Sequence, residues 1–324
     1  MNLKKTIRSF LSSTEIGENI WRFLHLANLK YLSHYSDVDY FKKVYKNHTG
    51  GKELNFSDPQ TFDEKQLWIK MYYRDPLYTK CTDKFLVREY VQSCGLGHIL
   101  NTLYAVYDSA EDIDWDNLPN RFYIKANHTS AGNIRCNDKT TIDRKKVCRD
   151  LERTLKHNHY YDSREWNYKD IQPKIIAEAI IENEDKSPLV DYRFLCYEGK
   201  CEYLFIDINE ADDKGRHRED AVRNVYDREM NLLDVTVSKP RFDSSLIQKP
   251  ENYDLMVDYA EKLSRPFPFC RVDFYNISGK IIFGEITFFH AGGFSTIQPK
   301  EWEIRLGKDI PIEKLQREYQ QKAQ

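Results

Sequence analysis

No stretch of this 324-residue chain approaches the roughly 20 consecutive apolar residues needed to cross a bilayer. The first ten residues hold Lys4, Lys5 and Arg8 but no apolar run of secretory-signal length. Neither sign of charge is in excess, since 49 Lys and Arg face 51 Asp and Glu for a net −2. A global pull toward nucleic acid or an anionic membrane is therefore not indicated, and any basic site must be local. The seven cysteines are odd in number and form no CxxC pair. That argues against a disulfide framework or a structural zinc site, and for reduced thiols in a cytoplasmic protein. The phosphate-loop patterns GxxxxGK[ST] and GxGxxG are absent, as is any Ser-His-Asp or Cys-His signature. No internal repeat or low-complexity segment is present.

What is present points to a folded, multi-part molecule. Hydrophobic residues make up 40% and aromatics 14%, with 22 tyrosines and 17 phenylalanines, which supplies a core and excludes disorder. The length predicts two or three packed subdomains. Residues 1–50 read as helical, with Ile16, Ile20, Phe23, Leu24 and Ala27 spaced for one apolar face that would pack on the body. Thr61-Phe62-Asp63-Glu64 starts a helix continuing through Lys65 to Tyr73. A second helix is expected from about Tyr78 to Val91, stopping near Gly95. After the turn cluster Asn117-Leu118-Pro119-Asn120 the texture changes. Strand-like runs appear at Arg121–Ala126, Lys174–Ile181, Tyr192–Tyr197, Glu202–Ile208, Phe269–Tyr275 and Lys280–Phe289, with a helical stretch at Thr141–His157. Cys196 and Cys201 flank an expected hairpin turn and are read as core residues. Strands mixed with helices and hairpins give an α+β class.

Four constellations have residue types suited to chemistry. Lys125 ends a strand in which it shares a face with Tyr123, and the loop after it, His128-Thr129-Ser130-Ala131-Gly132-Asn133, is small and polar. Such a loop brings backbone N–H groups close to phosphate, and a lysine adds charge. Glu178 interrupts the apolar strand Ile175-Ile176-Ala177, so it needs a partner in the core or a place at a pocket lip. Arg193 projects from an aromatic strand, as half of a surface salt bridge or as a phosphate contact. The fourth is the pair of strands around Gly279. Arg271, Asp273 and Tyr275 share one face of the first, and Glu285 and Thr287 share one face of the second. A two-residue turn would put Glu285 on the side opposite Asp273. A three-residue loop, Ile277-Ser278-Gly279, sets Asp273 across from Phe283 and diagonal to Glu285, so that two acids converge on one cation. Hard oxygen ligands beside an arginine suit Mg²⁺ shared with nucleotide phosphates.

In this order the segments resemble the ATP-grasp superfamily, and more closely its TupA-like branch, named for teichuronopeptide biosynthesis and found among bacterial surface-polysaccharide proteins. The resemblance runs from about Leu54 to Leu306. It rests on Thr61 to Lys65, Asp75 to Lys80, Asp83-Lys84, Val87 to Tyr90, the Lys125 strand and loop, Arg164-Glu165-Trp166, Ile176 to Glu178, Asp191-Tyr192-Arg193, Arg271 to Tyr275 and Gly284 to Phe288. It implies a helical region at 1–53, a preceding region at 54–120 and an ATP-grasp core at 121–310. The core would comprise a small lid of about 121–180 and a large subdomain of about 181–310, followed by a tail at 311–324. By the same resemblance Lys125, Lys84 and the loop residues His128, Ser130, Gly132 and Asn133 would bind ATP phosphates. Glu178, Ala179, Ile180 and Ile181 would line the adenine hinge. Arg193 and Arg271 would hold phosphates or an acyl-phosphate, and Asp273, Glu285 and Thr287 would hold Mg²⁺. Two departures stand out. Thr129 and Ala131 occupy a loop that is usually glycine-rich, and Thr287 stands where asparagine is frequent.

The implied reaction activates a carboxylate with ATP and passes the acyl group to an amine, so the expected partners are an acid and an amine donor rather than nucleic acid. The expected location is the cytoplasm, with room for peripheral attachment to membrane-bound polysaccharide machinery. Competing readings are a glycosyltransferase, suggested by the DxD patterns Asp37-Val38-Asp39 and Asp112-Ile113-Asp114, a kinase using the same ATP site, and a carbohydrate-binding scaffold suggested by the tyrosine content. His128 and His290 are the histidines nearest the motifs; either could assist proton transfer from the amine, but structural roles are expected for both.

Overall fold

The computed structural model describes residues 34–129, 132–210, 218 and 220–323, with scattered positions between 17 and 32. The chain divides into two compact units, Met1–Leu54 with Tyr161–Arg164, and Asn55–Tyr160 with Glu165–Gln324. In the first, helix α1 (Asp37–Thr49) starts at Ser36, whose side chain accepts from the Asp39 amide, and ends on a left-handed Gly50. Ile20, Phe23 and Leu24, expected to pack inward, are exposed instead, and Ile16 lies outside the described residues.

The second unit begins with α2 (Phe62–Tyr72), held by a capping box in which Thr61 and Glu64 satisfy each other's backbone N–H groups. The helix expected from Tyr78 to Val91 is two helices, α3 (Pro76–Thr82) and α4 (Val87–Ser93). Asp83 breaks it, because its carboxylate accepts from the amides of Phe85 and Leu86 at 2.8 and 3.2 Å and so competes with continued helix.

Two antiparallel sheets follow. The smaller has the order β1-β4-β2-β3, built from β1 (Leu103–Tyr107), β2 (Phe122–Ala126), β3 (Ile134–Cys136) and β4 (Ile175–Glu178). It packs with α5 (Arg144–Leu155) around its own core, which includes Phe122, Ile124, Leu151 and Ala177. The larger sheet has the order β10-β9-β5-β6-β7, from β5 (Val190–Tyr197), β6 (Lys200–Ile208), β7 (Val222–Asp227), β9 (Phe269–Ile277) and β10 (Lys280–Thr287). A short pair, β8 (Thr236–Val237) with β11 (Ile297–Gln298), stands apart. Strand alternation gives the large sheet two characters. Phe194 and Phe274 meet each other on one face, where Phe194 also meets Tyr253 of α6 (Tyr253–Ser264). The other face carries the charged residues. Helices α7 (Glu301–Gly307) and α8 (Ile312–Ala323) close the chain, and α7 packs on α2. Cys196 and Cys201 do face each other across β5 and β6, free and buried like Cys270 beside them. Among the described residues no helix is long and apolar enough to cross a membrane.

Candidate active site

A cavity of about 490 Å³ is walled by the small sheet, by α3 and α4, and by the charged face of the large sheet. Its size falls in the usual range for small-molecule sites, roughly 300–1,000 Å³. Val87, Leu100, Tyr123 and Ile181 contribute apolar surface to its lining. Lys125 reaches in from β2 because alternation points Phe122 and Ile124 into the core and Tyr123 and Lys125 outward. Its ammonium lies 2.6 Å from the carboxylate of Glu178, which has Arg88 at 3.8 Å as a second partner. Both sequence-level options for Glu178 therefore hold together, since it pairs with a lysine and lines the cavity. Lys84 enters from the break between α3 and α4, its amide bonded to the Asn127 carbonyl and its ammonium to the Thr129 carbonyl at 2.8 Å. Burial pushes the Lys84 pKa down, against the pull of Glu285.

Ala179 and Asn133 also line the cavity, whereas Ile180, His128 and Gly132 do not. The Ala179 amide and carbonyl are already used, by the Thr102 carbonyl and the Asn101 side chain. His128 is buried with Nε2 at 3.0 Å from the His157 carbonyl, and burial lowers its pKa. Gly132 has φ +78°, and a Cβ there would sit 2.9 Å from the Thr154 hydroxyl, so the loop needs glycine to pass α5. Ser130 lies outside the described residues.

The β9–β10 hairpin departs from the three-residue loop expected for it. The turn has two residues, Ser278 and Gly279, both left-handed at φ 50° and 83°, with Ile277 paired to Lys280. Unbroken pairing from that turn would put Glu285 and Asp273 on opposite faces. A bulge at Gly284 inserts one residue, so that Glu285 pairs directly with Asp273 and Thr287 with Arg271. All four side chains then meet. Arg271 Nη2 lies 2.6 Å from Asp273 Oδ2, 2.9 Å from Glu285 Oε1 and 3.0 Å from Thr287 Oγ1. The three oxygens already converge on one cationic nitrogen.

Arg193 stands beside them as part of a buried network, not a surface bridge. Its side chain is 13% exposed and has Asp207 at 3.0 Å, Asp191 at 3.3 Å, Glu210 at 3.5 Å and Asp273 at 3.6 Å. Arg223 binds Asp207 with both guanidinium arms, and Lys239 joins Asp207 to Glu210. Burial opposes ionisation of Asp207, but Arg193, Arg223 and Lys239 outweigh it and hold its carboxyl well below the usual range. Burial likewise works against Glu285, and Arg271, Lys84 and Arg193 bring it to about 2. Asp273 goes the other way, because burial exceeds the help from Arg271 and Arg193. His290 is buried with Nδ1 2.8 Å from Arg271 and Nε2 3.1 Å from Arg223. Burial and these arginines keep it neutral, which suits a structural role. Sequence reasoning missed Arg223, Lys239, Asp207 and Glu210. Arg223 and Asp207 come from adjacent strands, one of which had no strong strand signal, and the other two come from irregular segments.

The donor set fits a magnesium nucleotide. Asp273, Glu285 and Thr287 offer hard oxygens, and Lys84, Lys125 and Arg193 offer charge for phosphates. Among the described residues the cavity-lining Asn133 Oδ1 is buried with no hydrogen-bond partner, and Arg193 Nε faces the Asp273 carboxylate at 3.6 Å, beyond hydrogen-bond distance. The DxD patterns lie elsewhere. Asp112 and Asp114 bind Ser109 and Asn117 at exposed turns, Asp39 binds Ser36, and none of these acids lines the cavity.

A small antiparallel sheet and a larger one flanking a basic and acidic cavity make this an α+β protein of the ATP-grasp class. The chain belongs to the TupA-like ATP-grasp family, whose model matches residues 64–311. No curated protein sequence matches it. Among solved structures it is similar to D-alanine–D-alanine ligase from Bacillus anthracis, with 15% identity over 75% of this chain and 70% of that one and a TM-score of 0.44. It is also similar to L-amino acid ligase from Bacillus licheniformis (14% identity, 71% of this chain and 49% of that one, TM-score 0.43) and to D-cycloserine synthetase DcsG (11%, 74% and 72%, TM-score 0.41). The match thus spans about half the length of the L-amino acid ligase.

Proposed function

We propose that this protein is an ATP- and Mg²⁺-dependent ligase that joins a carboxylate to an amine through an acyl-phosphate. We place it in the cytoplasm, in the assembly of a bacterial capsule, exopolysaccharide or teichuronopeptide-like polymer, the setting its family resemblance suggests. The observation that carries the chemical reading is the convergence of Asp273, Glu285 and Thr287 on one cationic nitrogen, in the same unit that sets Lys84, Lys125 and Arg193 along the cavity. Seven free cysteines agree with a reducing compartment.

The chain's own contribution is placement and charge. Lys84 and Lys125 would hold phosphate oxygens from the small-sheet side, while Arg193 and Arg271 would face the transferring phosphoryl group and the substrate carboxylate from the large sheet. Bound through Asp273, Glu285 and Thr287, Mg²⁺ would supply neutralisation of phosphate charge. A carboxylate so aligned would attack the γ-phosphorus and expel ADP, and an amine would then displace phosphate from the acyl carbon of the acyl-phosphate. Such catalysis needs orientation and fixed dipoles rather than a side-chain nucleophile, in keeping with the absence of a catalytic triad.

The test is phosphate release from ATP and Mg²⁺ across a matrix of acids and amines, with uronic acids and amino acids as the acids. ADP and phosphate appearing only when both partners are present supports ligation. Phosphoryl transfer to the acid without any amine, as a stable product, would replace the ligase reading with a kinase.

A further inference from the structure

We infer that Asp191 is the base that takes the proton from the attacking amine, an inference that rests on the ligase reading above. Among the described residues, Asp191, Asp207, Glu210, Asp273 and Glu285 stand on or beside the charged face of the large sheet around Arg193, and all but Asp191 are tightly held. Asp207 is gripped by Arg223 and Lys239, and Asp273 is held by two Arg271 nitrogens at 2.6 and 2.7 Å. Glu285 is bound by Arg271 and Thr287, and Glu210 by Lys239. Asp191 differs. Among the described residues its carboxylate has one hydrogen bond, from Arg193 Nη2 to Oδ1 at a long 3.3 Å, although the residue lines the cavity and is 7% exposed.

Its place follows from strand periodicity. Asp191 and Arg193 lie two apart on β5 and share its cavity face, so the carboxylate adjoins the arginine proposed to hold the acyl-phosphate. The groups around it are Arg193 on its own strand, Asp207 directly opposite on β6, and Tyr275 opposite on β9 with Arg271 further along. Burial raises its pKa, Asp207 adds to this, and Arg193 and Arg271 oppose it. Asp191 in turn pushes the Tyr275 phenol up, so that side chain stays protonated. A carboxylate with a free oxygen, little solvent and a raised affinity for protons is suited to general-base work.

The step balances as follows. The amine enters as an ammonium ion and gives one proton to Asp191. Its lone pair then forms the C–N bond at the acyl carbon. The C–O bond to phosphate breaks, phosphate leaves with the electron pair, and the second N–H proton goes to the departing phosphate. Asp191 releases its proton to water.

The experiment uses the full chain with ATP, Mg²⁺ and glucuronate, L-glutamate or D-alanine as the carboxylate. Two nucleophiles are compared, hydroxylamine, which is neutral near pH 7, and the alkyl amine giving most ADP in the acid–amine matrix. Asp191→Asn is expected to slow the alkyl amine reaction by roughly 100-fold or more, the usual worth of a general base. The hydroxylamine reaction should fall far less, because that nucleophile arrives without the extra proton. Carboxylate-dependent scrambling of ¹⁸O within ATP, which reports acyl-phosphate formation alone, should also fall far less. Asp191→Glu should recover part of the alkyl amine rate. Equal slowing of both nucleophiles and of scrambling would mean that Asp191 only supports Arg193, and the inference fails while the ligase reading stands. Absence of ADP release from the wild type with every pair, hydroxylamine included, overturns the ligase reading and this inference with it.

Discussion

Lys125 and Glu178 form an ion pair at 2.6 Å whose members are 22% and 11% exposed, so removing one strands the other. Among the described residues, Lys125→Ala leaves Glu178 with Arg88 at 3.8 Å as its ion-pair partner, and an underpaired buried carboxylate costs about 1–3 kcal/mol. Thermal unfolding should show that loss. Adding Glu178→Gln should recover the melting temperature without recovering ATP binding, because the phosphate charge is still missing. A double variant that regains ATP affinity would show that Lys125 acts only as a partner for Glu178. The two acids proposed to hold the cation call for a different test. Asp273 and Glu285 meet at one nitrogen, so Asp273→Asn and Glu285→Gln should each remove turnover, and the double variant should be little worse than either. Additive losses in steady-state kinetics would separate their roles.

At the scale of elements, the bulge on β10 decides the site. Gly284 is its inserted residue, and a Cβ there would lie 3.0 Å from the Asp273 carbonyl oxygen, a backbone atom with little freedom to retreat. Gly284→Val should therefore cost about 1–3 kcal/mol by overpacking. It should also weaken Mg²⁺-dependent ATP binding, since the register that faces Glu285 to Asp273 depends on that bulge. Calorimetric titration of MgATP beside a melting curve checks both, and a variant with full affinity would show that the register survives. The Asp83 break works in the same local way. By stopping α3 it releases Lys84, which lines the cavity, from the helix and lets its ammonium bond the Thr129 carbonyl.

For the whole molecule, one buried acid ties stability to pH. Asp63 lies in the first turn of α2, and its Oδ2 accepts from the Ser295 amide at 2.7 Å. Burial raises its pKa from 3.8 to about 7. Between about pH 4 and pH 7 the folded protein holds a proton that the unfolded chain has lost, so stability falls as pH rises through that window. The shift sets a ceiling of about 4 kcal/mol on the effect. Asp63→Asn should flatten the dependence, as denaturant unfolding across the window would show; an unchanged slope would place the titration elsewhere. Ligand linkage acts on the same global equilibrium. MgATP at about 100 times its Kd should stabilise the fold by about 2.7 kcal/mol. UDP-sugars should not, and a thermal-shift preference for a UDP-sugar would favour the glycosyltransferase reading.

The sequence by itself determined what depends on neighbours along the chain. The capping box at Thr61 and Glu64, the alternation that turns Lys125 away from Phe122 and Ile124, and the shared faces of Arg271 with Asp273 and of Arg193 with Asp191 all follow from periods of 3.6 and 2. The order of its motifs was enough to suggest the family. Only the tertiary structure decided which faces meet. The two-residue turn at Ser278 and Gly279 would have separated the two acids, and the bulge at Gly284 rejoined them. The partners of Arg193 are Asp207 on the neighbouring β6 and Glu210 beyond its end, a pairing that periodicity along one strand does not reveal. Register and long-range charge pairing are settled by contacts between residues far apart in sequence. A one-residue insertion reverses a face without leaving a periodic trace, and for that reason the site's geometry had to be seen in three dimensions.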